Sequence, residues 1–459
     1  MDPTSELCCP PTTDFSNPKR AESQFDKLTE LKQSFLLDTK SFHQQYSGVY
    51  FVRLNALRPV LEKTALDIWA KLPERPKYVK NILDTRADEI CYMIGTIYLE
   101  MPKKPNVMNN LDDEAQMILP PTPLKYMSDQ DKIFIEDESG RVEIVGKVLS
   151  NENMVTGTVV GILGCETATG EFEVKQICFP QMGPQAPLSP KDGNKYVALV
   201  SGLNIGGEST STINAHLLAE YLSGTLGSCM DEEESATITR VIIAGNSLVK
   251  PPSTESTEEK RFGFGGSHID ATHLFELDDI LQDICSSVDV DIMPGGNDPA
   301  QLHLPQQPLH PSMFPRSFEL STFHGVTNPY WCKIDDITFL GTSGQNIDDI
   351  YRYVATTDRL ELAKCCMKWR HIAPSAPDTL WCYPFQEKDP FILNQCPHVY
   401  FIGNQPQFDQ DTLIGPDGQK VKVILVPSFS ETNTIVLVNI NTLECKTINI
   451  SVDTDEMME

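Results

Sequence analysis

VDVDIMPGGNDP, residues 288–299, runs from an apolar strand pattern straight into a loop of small, turn-forming residues. The same grammar repeats on either side of it. KYVALVSGLNIGG (195–207) is an apolar strand ending in small residues, and INAHLLAEYLSGTL (213–226) follows as a helix. RVIIAGNSL (240–248) is a second strand of this kind. THLFELDDILQDICSSV (272–288) places Leu274, Leu277, Leu281 and Ile284 on one helical face. Downstream, ITFLGTSGQN (337–346) and HVYFIGNQP (398–406) supply a fourth and a fifth strand. KVKVILVPSFSETNTIVLVNINTLECKTINIS (420–451) closes the unit as an antiparallel run of strands before an acidic tail, DTDEMME. Strands alternating with helices predict a layered α/β domain over 195–459.

Upstream the period changes. ICYMIGTIYLEM, KIFIEDESGRVEIVGKV and VTGTVVGILGCETATGEFEVKQICFP alternate with period two, and EDESGR and ETATGE are short Gly-containing turns. Five short strands with such turns suit a Greek-key barrel of the OB type over 46–180, although other small barrels and sandwiches share the pattern. PKKPNVMNNLDDEAQMILPPTPLK (102–125) reads as a loop between the first two strands, and QMGPQAPLSPKDGN marks a linker at 181–194. Before the barrel, Phe25, Leu28, Leu31 and Phe35 step through 21–43 as an amphipathic helix within an N-terminal segment, 1–45. A second helix carries Val52, Leu54, Leu57, Leu61, Ala65, Leu66 and Trp69, with Pro59 bending it or marking its first turn. The expected fold class is therefore α+β and multidomain.

Composition narrows the function. Of 459 residues, 37 are Lys or Arg and 64 are Asp or Glu, a formal charge of 37 − 64 = −27. Neutralising phosphates needs a basic footprint, so direct DNA contact is not the main electrostatic task of this chain. No apolar run reaches the length of a membrane span, and MDPTSELCCPPTTDF has neither the basic start nor the apolar core of a secretory signal. Thirteen cysteines occur without any C-x-x-C, which argues against a structural metal and for reduced thiols in the cytosol or nucleus.

In open α/β sheets, sites form beyond the carboxyl ends of the strands. Five such ends converge here on small residues, as in a dinuclear metallophosphoesterase, whose two cations need Asp and His ligands. Active enzymes of that kind carry D-x-H, G-D-x-x-D, G-N-H-D/E and G-H-x-H at these ends. This chain has Ser201-Gly202-Leu203, Gly245-Asn246-Ser247, Pro294-Gly295-Gly296-Asn297-Asp298 and Gly403-Asn404-Gln405 instead. Neutral amides and hydroxyls replace anionic and imidazole ligands, so Ser201, Leu203, Asn246, Gly296, Asn297 and Asn404 read as degenerate metal positions. No catalytic, cofactor-binding or metal-binding residue is expected.

MPGGNDPAQLHLPQQPLHPSMFP (293–315), GTSGQN (341–346), APDTLWCYPF (376–385) and CPHVYFIGNQPQF (396–408) carry a resemblance over nearly the whole chain. They resemble the small, regulatory B subunits of DNA polymerase delta, within the calcineurin-like phosphoesterase-derived B subunits shared by replicative polymerases. That resemblance implies an OB-fold barrel joined to an inactivated metallophosphoesterase α/β sandwich. It further implies a noncatalytic scaffold in nuclear replication and repair. Such a scaffold is a hetero-oligomer that binds the C-terminal cysteine-rich metal module of the catalytic subunit and further accessory subunits, touches DNA only indirectly, and has no membrane role. The competing reading is an active metal-dependent phosphoesterase or nuclease of the same fold, which archaeal members of the family represent.

Other features weigh less. Tyr92, Tyr98, Phe134 and Phe172 in the barrel, with Lys125, Lys132, Arg141 and Lys147, could form a single-strand groove. Yet Asp129, Asp131, Glu136, Asp137, Glu138 and Glu143 interleave with them, so core packing and protein docking are the expected roles. Phe262-Gly263-Phe264-Gly265-Gly266 lacks G-K-[ST] and reads as a loop. His268 and His273 read as helix-entry polar residues, Asp278, Asp279 and Asp283 as a solvated helix face, and Asp231-Glu232-Glu233-Glu234 as a solvated loop. His310 and Trp331 read as packing residues. PQQPLHP reads equally as a rigid surface brace or as part of a partner interface.

Overall fold

The computed structural model describes residues 19–26, 28, 35–37, 43–73, 76–105, 123–188, 193–207, 209–227, 229–250 and 271–451. The predicted 262–266 loop, His268 and the acidic tail lie outside these residues, as does most of the 102–125 loop.

Of the helix expected over 21–43, Phe35 is helical, whereas residues 21–26 are not. Phe25–Asp26 is a two-residue strand (β1). The Phe25 ring lies under the Arg240 guanidinium, 3.6 Å from its carbon, and stacks near His324, so its burial comes from the sandwich edge and not from a helical stripe. Residues 27, 29–34 and 38–42 of that stretch lie outside the described residues.

Helix α1 (Ser47–Trp69) buries Val49, Arg53, Leu57, Leu61 and Ala65 at four-residue steps, with Leu54 and Trp69 beside them. Pro59 stands mid-helix, not in the first turn, on the exposed side. The next strands are β2 (Lys77–Tyr78), β3 (Cys91–Glu100), β4 (Lys132–Glu136), β5 (Arg141–Val145), β6 (Val159–Glu166) and β7 (Phe172–Cys178). Their order is β2-β3-β4-β5-β7-β6, and β3 also pairs with β6, which closes a five-stranded barrel. Long β3 makes closure possible: Cys91–Thr96 pair with β6 and Thr96–Glu100 with β4. Gly95 sits at the crossover, where a Cβ would lie 2.7 Å from the Glu136 carbonyl. Met93, Ile97, Val160 and Ile162 fill the barrel, while Tyr92, Ile94, Val159 and Leu163 face α1.

The remainder builds two six-stranded sheets from β8 (Tyr196–Val200), β9 (Ile238–Ala244), β10 (Asp289–Met293), β11 (Phe323–Gly325), β12 (Tyr330–Ile334), β13 (Ile337–Thr342), β14 (Val399–Gln405), β15 (Asp409–Ile414), β16 (Lys420–Pro427), β17 (Thr434–Asn439) and β18 (Cys445–Asn449). One sheet has the order β11-β10-β9-β8-β17-β18 and the other β1-β12-β13-β14-β16-β15. Val197, Leu199, Ile242 and Met293 of the first meet Phe339, Phe401, Ile424 and Val426 of the second in one apolar layer. Helices α2 (Ser209–Ser223), α3 (Cys229–Ala236) and α4 (Ala271–Cys285) lie on the first sheet's side; α5 (Gln345–Tyr353) and α6 (Arg359–Lys368) pack on the second. The predicted C-terminal antiparallel run is not one sheet. Strand β16 runs parallel to β14, the chain crosses the sandwich through α7 (Phe429–Thr432), and β17 joins the other sheet beside β8. Apolar faces on both sides of 420–440 permit this switch, because each strand is buried between layers.

Barrel and sandwich share a core. A single cluster includes barrel residues such as Ile135 and Phe172, Leu340 and Tyr400 of the second sheet, and Leu362 of α6.

Candidate functional site

The parallel strands β8, β9 and β10 of one sheet and β13, β14 and β16 of the other all terminate at one mouth of the sandwich. Asn204, Asn246 and Asn404 adopt positive φ there (+48°, +54° and +56°), turning the chain back sharply where a short polar side chain tolerates it. Ser201 Oγ donates to the Pro427 carbonyl (3.0 Å) and accepts from the Asn404 N–H (2.9 Å). Asn404 Nδ2 donates to the carbonyls of Ala244 (3.0 Å) and Ser343 (2.9 Å). Uncharged groups thus tie the two sheets together.

Asn246 Oδ1 accepts from the Asn297 N–H at 3.0 Å, and Asn297 Nδ2 reaches Asn204 Oδ1 at 3.4 Å. Gly296 is exposed, with Gln345 the nearest group to where a side chain would stand. Leu203 points elsewhere, into the apolar cluster with Leu218 and Leu277 under α2 and α4. Five of the six flagged positions therefore meet at the mouth, and Leu203 does not.

A second set of amides, Gln306, Asn328 and Gln345, completes the site, and the sequence reading assigned none of them to it. Asn328 Nδ2 donates to Gln306 Oε1 (2.8 Å), Ser343 Oγ (2.6 Å) and Gln345 Oε1 (2.9 Å), and Gln345 Nε2 donates to Gln306 Oε1 (2.9 Å). Gln306, fully buried, also donates to the Gly295 carbonyl at 3.0 Å. Its neighbour Gln307 bonds Phe35 and Leu37 of the N-terminal segment. PQQPLHP is therefore largely an internal brace.

Asp298 is the acid these loops retain. Its carboxyl accepts from the N–H groups of Leu248 (3.0 Å) and Gly295 (2.8 Å), and so holds two loops together. Burial pushes its pKa up to about 6 against the opposing pull of those amides. Among the described residues, no group of three or more His, Cys, Asp or Glu is arranged to hold a metal ion. The residues at this mouth fit a hydrogen-bonded plug better than a cation pair: most of the amides and hydroxyls bond one another or the backbone, and the buried atom left without a partner, Asn404 Oδ1, is a neutral amide oxygen and not an anionic or imidazole ligand.

Farther away, a charged network joins the barrel side to the sandwich. Arg53 is buried and donates to Asp389 (2.7 Å) and to the carbonyls of Gly157 (3.1 Å), Pro374 (2.7 Å) and Ala376 (2.7 Å). Asp389 also meets His371 Nε2 at 2.9 Å, while the Ala373 N–H donates to His371 Nδ1, which puts the imidazole proton on Nε2. Burial and the Arg53 charge push His371 down to about 4. Burial would raise the Asp389 carboxyl, yet His371 and Arg53 hold it well below the usual carboxylate range. A charged residue on the core stripe of α1, four places from Val49 and Leu57, was the available signal.

Several sequence readings change. Asp278 is not solvated: buried, it accepts from the N–H groups of Arg316 (3.0 Å) and Ser317 (3.0 Å), because the turn at Ser317–Glu319 packs on α4. Asp231–Glu234 belong to α3, not to a loop, and Glu234 pairs with Lys446. His273 enters α4 half-buried, His310 bonds Ser312 and Trp331 is buried. In the barrel, Tyr92 and Phe172 are core, but Tyr98 and Phe134 are half-buried under the Arg141 guanidinium. Arg141 pairs with Glu136 and Lys132 with Glu143, and Lys125 caps the end of α5 through the Tyr351 and Val354 carbonyls. No helix among the described residues is long and apolar enough to cross a membrane.

A family described as the OB-fold domain of DNA polymerase delta subunits matches residues 45–177, and one described as the B subunits of DNA polymerases alpha and epsilon matches residues 197–410. The chain is 40% identical over 443 residues to a DNA polymerase delta small subunit of Arabidopsis thaliana, covering 94% of this chain and 97% of that one. It is 35% identical to DNA polymerase delta subunit 2 of Drosophila melanogaster, covering 95% and 99%. Identity to the DNA polymerase delta small subunit of Saccharomyces cerevisiae is 36%, covering 90% and 91%.

Proposed function

The chain belongs to the family of DNA polymerase delta small subunits, and from that premise we propose that it is a noncatalytic scaffold of the holoenzyme. Its role in DNA polymerase delta is accessory, within a hetero-oligomer that includes the catalytic subunit. We read the two-sheet unit as a calcineurin-like phosphoesterase sandwich emptied of its chemistry. The observation that carries this is the mouth itself, where Ser201, Asn404, Asn328 and Gln306 bond each other and the backbone. A pair of divalent cations needs anionic or imidazole donors, and these side chains supply neither. The Ser201, Asn246, Gly296, Asn297 and Asn404 positions are then former ligand positions now used to fasten the sheets.

Rigidity supports the scaffold reading. Barrel and sandwich are fused by one apolar cluster and by the buried Arg53 network, so together they present a fixed surface to partners. That surface binds the C-terminal cysteine-rich metal module of the catalytic subunit and further accessory subunits, and serves replication and repair in the nucleus. With a formal charge of −27, contact with DNA falls mainly to those partners. The test is reconstitution. The purified chain should form a one-to-one complex with the full catalytic subunit, and none with a catalytic subunit lacking that module. A complex that survives removal of the module, or none with either form, overturns the reading.

A further inference from the structure

The outer face of α4 carries a feature that neither the plugged mouth nor the shared core uses. Phe275 is 55% exposed and Phe318, in the turn at Ser317–Glu319, is 57% exposed. The turn that carries Phe318 packs on the helix that carries Phe275. Phe275 precedes Asp278 and Asp279 by three and four residues, so all three share a side of α4. Asp278 holds the N–H groups of Arg316 and Ser317, and Asp279 pairs with Arg316, which brings Phe318 to that side. The turn is anchored by Phe314, which is buried, accepts the Phe318 N–H through its carbonyl (2.9 Å) and packs on Phe323 with ring centroids 5.3 Å apart.

The rim is mainly acidic. Asp279 and the exposed Asp283 continue the Phe275 stripe at four-residue steps, Glu276 is adjacent, and the exposed Glu319 follows Phe318. Arg316 is the cation of this rim, and Asp279 already engages it. Two exposed aromatic rings ringed by carboxylates form a centre-and-rim pattern that suits protein recognition. A second copy of the chain would set acids against acids, and DNA or an anionic lipid surface would be repelled.

We propose that this face of α4 and the Ser317–Glu319 turn is a docking surface for a basic, apolar-centred segment of another subunit of the polymerase. The inference rests on the scaffold reading above. Aromatic rings supply the affinity, and Asp283 and Glu319 set the encounter rate and its salt dependence. The test titrates each purified polymerase subunit against the full-length chain and two double variants, F275A/F318A and D283K/E319K, at low and physiological salt. Both pairs are exposed, and an unchanged thermal midpoint verifies their folding. One subunit should bind F275A/F318A at least tenfold more weakly. The same subunit should bind D283K/E319K with slower association and a smaller salt dependence. If both variants bind every subunit as the unaltered chain does, or if they change self-association alone, the proposal is overturned. Failure of the unaltered chain to bind any subunit would instead remove the scaffold reading, and this inference with it.

Discussion

Arg53 shows how much one side chain can carry. It is buried on the core stripe of α1, yet it satisfies a carboxylate and three carbonyls from segments more than 100 residues away. Replacing it by Ala leaves the Asp389 charge buried without its guanidinium partner. Urea unfolding of R53A should show a loss of about 3–5 kcal/mol. Its neighbour predicts a pH dependence. His371 takes a proton near 6.5 when unfolded and near 4 when folded. Acidification therefore loads the unfolded chain first, and stability falls between pH 6.5 and 4 by about 3 kcal/mol. Asp298, raised from 3.8 to about 6, has the opposite sign: its contribution grows as pH falls through the same window. The difference between the unaltered chain and H371Q isolates the histidine, and H371Q should lose less stability on acidification. At this scale the sequence was half legible. Ser201, Asn246, Gly296, Asn297 and Asn404 were found because each lies at, or within four residues of, the carboxyl end of a strand. Gln306, Asn328 and Gln345 were not, because they stand 17–39 residues apart in sequence and only the fold brings them together.

Elements were easier to read where one period dominated. The barrel strands and β8, β9, β10, β13 and β14 stand where their alternation or apolar runs placed them. Short β1 was lost because Phe25 fits a helical stripe as well as a strand edge, and only the Arg240 and His324 groups waiting on the sandwich decide between them. The switch between β16 and β17 was lost for a related reason, since strands buried on both faces carry no mark of which sheet they join. Local signals still have measurable weight. Asp358 caps α6 by accepting the Glu361 N–H at 2.9 Å. D358A should destabilise the protein by about 1 kcal/mol in denaturant titration, because that N–H loses its acceptor.

As a whole, the molecule behaves as one body. Trp69 reports on α1 and the barrel, and Trp369 lies in the cluster shared with the sandwich. Variants retaining one or the other tryptophan should melt with coincident midpoints, since neither unit keeps its core without the other. Two separated transitions would show that the barrel folds on its own. The amide and hydroxyl bonds at the mouth add to that common core in holding the two sheets together.

That emptied mouth is the claim most open to direct measurement. Manganese titrated into the purified chain in a calorimeter, with hydrolysis of single-stranded DNA assayed on the same sample, tests it. The account predicts no saturable binding at micromolar metal and no turnover above a metal-free control. Two equivalents of manganese bound per chain, with hydrolysis lost in S201A and N404A, would contradict it.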